Sequence, residues 1–236
     1  MKLKALIAEF VGTFAVLFVG VGTVMACETV VLPKEVAAIT ITLFVALGHG
    51  LIIAVCGSAL GHVSGGHFNP AISLAMAVAK KLDFMSLVGY WIAQVAGAVV
   101  GVFLIQWTTK PDFFESKQGA IPTLYPGIDP IHGFVLEAVA VFFVVLVVLG
   151  TAVDRKAVKT GALYIGLTFT VMMMTISPLT GGSINPARWL GPAIVRVFFD
   201  NAWIYILGPM AGALVAALLY VKILSPEGMQ ELPAEA

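Results

Sequence analysis

The chain has 236 residues, 60% of them hydrophobic and only 11% charged, with a mean hydropathy of +1.01. A water-soluble domain of this length carries about a quarter charged residues, so the composition excludes one and describes a chain dissolved in lipid. The formal net charge is zero, which offers no attraction to nucleic acid.

A hydrocarbon core about 30 Å thick needs roughly 20 helical residues to cross. The N-terminus, Met1-Lys2-Leu3-Lys4, runs into a first apolar segment (5–26) with no small-residue cleavage site, so this is read as a retained span. A second span is predicted over 36–57. Next comes Ser64-Gly65-Gly66-His67-Phe68-Asn69-Pro70-Ala71, followed by a helical stretch (69–79) too short to cross. A third span covers 84–107. The stretch 108–130, with Pro111, Pro122, Pro126 and Pro130, reads as an outer linker. The fourth and fifth spans are predicted over 131–152 and 161–177. A second short helix (185–197) and a sixth span (202–223) follow, then a polar tail (225–236) expected to be cytoplasmic and disordered. Cys27 and Cys56 fall near the ends of different spans, toward opposite faces, so neither a disulfide nor a metal site is expected.

The chain states its motif twice. Thr180-Gly181-Gly182-Ser183-Ile184-Asn185-Pro186-Ala187 repeats residues 64–71 with five of eight positions identical, 116 residues later. Gly50-Leu51 and Gly166-Leu167 share that spacing. Gly97-Ala98 and Gly212-Ala213 lie 115 apart, and Glu9 and Glu137 each stand near the start of a half. Three spans per half is an odd number, so the halves have opposite topology. The predicted fold is an all-α membrane protein with six transmembrane helices and two re-entrant half-helices in an inverted 3+3 repeat. It forms a single domain over 1–236, with repeats at about 1–110 and 131–224. With both termini cytoplasmic, Lys2, Lys4, Lys80, Lys81, Arg155, Lys156, Lys159 and Lys222 lie inside, against Lys34, Lys110 and Lys117 outside. That distribution follows the positive-inside bias and sets the orientation.

Asn is a strong N-cap and Pro suits the first helical position, where its missing N–H costs nothing. Asn69-Pro70-Ala71 and Asn185-Pro186-Ala187 should therefore start two helices that enter from opposite faces and meet cap to cap. Capping uses the side-chain oxygen and leaves the amide NH2 to donate outward. Two positive helix ends would face the same midplane point and oppose cations there, as in the half-helix pores that exemplify this mechanism. Gly65, Gly66 and His67, and Gly181, Gly182 and Ser183, cannot be helical if the Asn residues are caps. Their backbone carbonyls are expected to line a wet path, the one setting that tolerates extended backbone at membrane depth.

These residues resemble the aquaporin, or major intrinsic protein, family over nearly the whole chain. The resemblance rests on Ser-Gly-x-His-x-Asn-Pro-Ala at 64–71, Arg188 after the second motif, Glu9 and Glu137, and Trp203-Ile204-Tyr205 with Gly208-Pro209 in the last span. It implies a passive channel for water in the cell membrane, a homotetramer with one pore per subunit, and no cofactor. The short loops look prokaryotic. The resemblance also places a selectivity filter at His49, Met173, Gly182 and Arg188, and gives Glu9 and Glu137 a structural role as acceptors for the half-helix loops. A charge near the membrane interior needs acceptors, and those of Arg188 are expected among the loop carbonyls. The filter departs from the water-selective pattern, which has Phe and His at the first two positions. It departs too from the glycerol pattern, since Trp189 stands where an Asp would follow the Arg. With Met and Gly as walls, it is expected to be wider than a strict water pore and to pass small neutral solutes, ammonia first among them. A protonatable His49 beside Arg188 is expected to reduce flux at low pH, and with no thiol at the filter, thiol reagents should not plug it directly.

A gradient-coupled secondary transporter is the main alternative, since it shares inverted repeats and broken helices and would use Glu9 or Glu137 as carriers. A structural junction protein has too little loop surface here. No nucleophile–base pair or metal-ligand cluster points to an enzyme.

Overall fold

The computed structural model describes residues 2–27, 33–116, 118–154, 156–158, 160–225 and 227. Lys117, Arg155 and Lys159, and most of the expected tail, lie outside the described residues. The helices are α1 (Leu3–Cys27), α2 (Lys34–Ser64), α3 (Pro70–Val78), α4 (Phe84–Thr108), α5 (Pro111–Ser116), α6 (Pro130–Val148), α7 (Gly161–Thr180), α8 (Pro186–Arg196) and α9 (Ala202–Leu219). Wider π-helical turns, Leu149–Val153 and Tyr220–Leu224, extend α6 and α9. Among the described residues there is no strand, and six helices are long and apolar enough to cross a bilayer.

Two predicted ends are corrected. The second span continues past residue 57 to Ser64, where Gly65 turns left-handed (φ 92°) and its N–H returns to the Gly61 carbonyl. The fifth continues past residue 177 to Thr180, because Pro178 sits inside its last turn and Gly181 (φ 76°) ends it in the same way. Both helices thus stop where glycine permits a backbone that other residues resist.

The halves pack alike. A Cβ on Gly97 of α4 would lie 2.3 Å from the Phe10 carbonyl of α1, and one on Gly212 of α9 would lie 1.9 Å from the Ala138 carbonyl of α6. Between halves, a Cβ on Gly50 would fall 2.4 Å from the Gly166 carbonyl and one on Gly166 2.3 Å from the Gly50 carbonyl, so α2 and α7 touch backbone to backbone. In lipid, where apolar helices gain little from hiding apolar surface, such close approach supplies the attraction. Outward faces keep Ile39, Phe44, Val55, Ile92 and Phe103 exposed, as lipid requires.

The stretch 108–130 does more than link. After α5 it returns over the bundle. Tyr125 N–H bonds to the Leu179 carbonyl, and the Pro122 carbonyl accepts from the Trp189 indole at 3.2 Å.

Candidate functional site

Each motif is held open by one carboxylate. Glu9 Oε1 accepts from the Ser64 hydroxyl (2.6 Å) and His67 N–H (3.0 Å), while Oε2 accepts from Phe68 N–H (2.7 Å) and the Gln94 amide (2.7 Å). Glu137 repeats this with the Thr180 hydroxyl (2.7 Å), Ser183 N–H (2.9 Å) and Ile184 N–H (2.6 Å). Every partner donates, the set that an acceptor-only carboxylate satisfies. The bonds hold Phe68 (φ 48°) and Ile184 (φ 59°) in left-handed backbone. That conformation costs about 1–2 kcal/mol for a side-chain-bearing residue, and a bond to a charged group returns about 1.5–3 kcal/mol, so the carboxylates win.

Two further pairs are absent from the sequence-based expectations. Tyr90 and Tyr205 donate to the Ser64 and Thr180 carbonyls (2.7 and 3.0 Å), and the hydroxyls of Ser64 and Thr180 accept from Gly66 and Gly182 N–H, each at 3.1 Å. The tyrosines stand 115 residues apart, the spacing of Gly97 and Gly212, so the repeat itself held the signal.

Beyond these loops the caps form. Asn69 and Asn185 accept from Ala71 and Ala187 N–H through Oδ1, each at 2.9 Å. Their amides are only partly free, in contrast to the expectation. Asn69 Nδ2 donates to the Ile184 carbonyl (3.0 Å) and Asn185 Nδ2 to the Phe68 carbonyl (2.9 Å). With two N–H bonds per amide, each Asn keeps one for the lumen.

Two cavities approach this junction. The first, about 560 Å³, is lined by Gly65, Gly66, His67, both Asn residues, Ile53, Phe169 and Val148. The second, about 360 Å³, is lined by Thr42, Pro122, Tyr125, Ser177, Gly181 and Arg188. They lie toward opposite ends of α2 and α7 and share no lining residue. Gly182 and Ser183 line neither. The Ser183 hydroxyl instead bonds the Asn185 carbonyl at 3.0 Å.

Of the four positions that the resemblance assigns to a filter, His49 meets Arg188, and Gly182 lies against Met173. Arg188 Nε donates to His49 Nε2 at 3.0 Å, and His49 Nδ1 bonds the Val45 carbonyl at 2.8 Å. Since arginine can only donate, Nε2 accepts and Nδ1 carries the ring proton. The imidazole therefore has no free ring atom for solute, and it serves Arg188 as an acceptor where loop carbonyls were expected to. The ring also packs in parallel on Phe169, with centroids 6.5 Å apart. Met173 is fully buried, His49 1% exposed and Arg188 5% exposed. At Gly182 a Cβ would come 2.3 Å from the Ser177 oxygen and 3.3 Å from Met173 Cγ. Neighbours on α7 already fill the space the glycine leaves. Trp189, in place of an Asp, is fully buried and stacks on Tyr205 at 5.6 Å.

Comparison with known proteins agrees with this geometry. The family model described as major intrinsic protein matches residues 1–220. Aquaporin TIP2-3 of Zea mays is 35% identical, covering 98% of this chain and 94% of its own length. Glycerol uptake facilitator protein-like 6 of Lactiplantibacillus plantarum is 35% identical, covering 91% and 95%. The X-ray structure of the aquaglyceroporin from Plasmodium falciparum superposes with a TM-score of 0.83 at 24% identity, covering 95% of this chain and 97% of that one, which speaks to the fold. The chain belongs to the major intrinsic protein family and is a passive membrane channel for water and small solutes.

Proposed function

We propose that solutes cross in single file past Arg188, His49, Met173 and Gly182, and then between Asn69 and Asn185. The observation that carries this reading is the reciprocal capping pair. Each Asn spends one N–H on the opposite half and keeps one, so two donors converge on the passage at two helix N-termini. A water between them turns its oxygen toward both, and a proton relay loses the alignment it needs. Arg188 adds a fixed positive charge against cations. Pro70, Ala71, Pro186 and Ala187 form the first turns behind those donors. The carbonyls of Gly65, Gly66 and His67 serve the cytoplasmic vestibule and that of Gly181 the outer one, while Gly182 and Ser183 stand outside both cavities.

The transporter alternative loses support because Glu9 and Glu137 are both occupied with backbone donors, which leaves no carboxylate to carry a coupling ion. Both termini are assigned to the cytoplasm by the lysine and arginine distribution. A homotetramer in the cell membrane, with one pore per subunit, accounts for the apolar outer faces. The single domain comprises the two repeats, about 1–110 and 131–224, joined by the outer linker and ending in the tail.

Ammonia is the favoured second solute, since His49 and Met173 replace the Phe-His pair of strict water pores and Trp189 replaces the Asp of glycerol pores. Stopped-flow measurements on proteoliposomes test both parts. Water flux is expected well above that of empty liposomes, with ammonia uptake also raised. Because Nε2 of His49 already accepts from Arg188, flux is expected to be flat between about pH 5 and 8, contrary to the pH dependence inferred from sequence. Ammonia uptake no faster than in empty liposomes would remove ammonia from the reading. A fall in water flux across that pH range, lost in His49→Ala, would restore the pH switch.

A further inference from the structure

Serine and threonine side chains recur along α7. Thr168, Thr170, Thr175 and Thr180 bond to the carbonyl four residues back, at 2.8, 3.1, 2.8 and 3.3 Å. Ser177 does not. Its oxygen is buried and has no partner among the described residues. Only two other buried side-chain atoms share that condition among the described residues, and one of them is the terminal nitrogen Nη1 of Arg188. Both residues line the second cavity. Ser177 lies one helical turn beyond Met173, on the same face, and its oxygen occupies the place where a side chain at position 182 would begin.

A buried polar atom without a partner is costly, and that cost disappears while a passing molecule bonds it. Nη1 can only donate, whereas the serine oxygen can accept. A small solute with both a lone pair and N–H or O–H groups would satisfy the two together. We propose that Ser177 is a further specificity-determining residue of the channel. In this role it is the hydrogen-bond acceptor at the Arg188 constriction, taking the place of the side chain that Gly182 lacks. It favours solutes rich in donors. Ammonia, with one lone pair and three N–H groups, depends on such an acceptor more than water does, because water carries equal numbers of each. The inference rests on the pore path proposed above.

Two variants of the full-length channel in proteoliposomes test it. Ser177→Ala is expected to lower the ratio of ammonia to water permeability about fivefold, the equivalent of one hydrogen bond. The water flux measured in the same vesicles verifies that the variant is folded. In Ser177→Cys, a small membrane-impermeant thiol reagent added from outside is expected to block water flux, while the unsubstituted channel continues to conduct. An unchanged ratio in Ser177→Ala overturns the proposal in a channel that passes ammonia. If the parent channel passes water and no ammonia, the ammonia reading fails by itself and the thiol arm decides on Ser177. Block then supports its place at the constriction, and unimpeded flux after labelling of the introduced thiol overturns it.

Discussion

The proposed filter depends on a residue outside it. A Cβ on Gly20 of α1 would lie 2.1 Å from His49 Nε2, 2.5 Å from Cε1 and 2.6 Å from Cδ2. The ring is held by the Val45 carbonyl on one side and by Phe169 beneath, so Gly20→Ala pushes it toward Arg188 and the lumen. Two costs follow. The Arg188–His49 bond, to a charged group, is worth about 1.5–3 kcal/mol, and overpacking a buried site adds about 1–3 kcal/mol. The first alone corresponds to roughly 10- to 150-fold in a rate if felt fully at the constriction. Stopped-flow water permeability of Gly20→Ala is therefore expected to fall at least about tenfold. Gly22→Ala is the control, because its Cβ meets only Ile105 Cδ1, at 3.2 Å, and the flux is expected to stay near the parent value. Adding His49→Ala to Gly20→Ala makes room for the methyl and should return the flux to that of His49→Ala alone. Parent-like flux in Gly20→Ala, with the variant incorporated at equal density, would refute the claim that the imidazole is fixed in place from α1.

Two further predictions concern the scaffold. In Glu137→Gln, whichever oxygen becomes NH2 faces a buried backbone donor, Ser183 or Ile184, and leaves it unpaired. This is expected to cost about 1–3 kcal/mol, read as a lower unfolding temperature in detergent, and an unchanged temperature would show the carboxylate to be dispensable. At the far end of the bundle, Asp154 is held below the usual carboxylate range by the Ser225 hydroxyl and the Lys156 amide. A depressed value contributes stability that is complete above the unfolded value and lost only as pH falls through the folded one. Exchange protection of the amides of 220–225 is expected to be constant from about pH 8 to 5 and to drop in Asp154→Ala. Loss of protection already between about pH 6 and 5 would contradict this.

The half-helices were legible in the sequence because their signals are local: an Asn cap, a Pro behind it and glycines that terminate the preceding helix. The filter was legible only in part. The family resemblance assigns His49, Met173, Gly182 and Arg188 to one constriction, but residue type at position 182 could not reveal that Ser177, five residues earlier, had taken up the space. Nor could a lone His49 declare which ring nitrogen bonds what, since the answer lies in Arg188, 139 residues away, and in Gly20 on a third helix. The proline-rich linker was legible only as a break between the halves. Prolines mark a break in helix but say nothing about where the freed carbonyls go, and that of Pro122 goes to Trp189.

The crossed bonds of Asn69 to the Ile184 carbonyl and Asn185 to the Phe68 carbonyl have a consequence for how the molecule is made. Each cap is completed by backbone from the other half, so a nascent chain that has emerged only through α4 holds an unfinished first motif. The passage is thus complete only once α8 stands against α3. The two halves behave as partners in a dimer that happen to share a peptide link, and the sequence 108–130 is the tether that spares them from having to find each other.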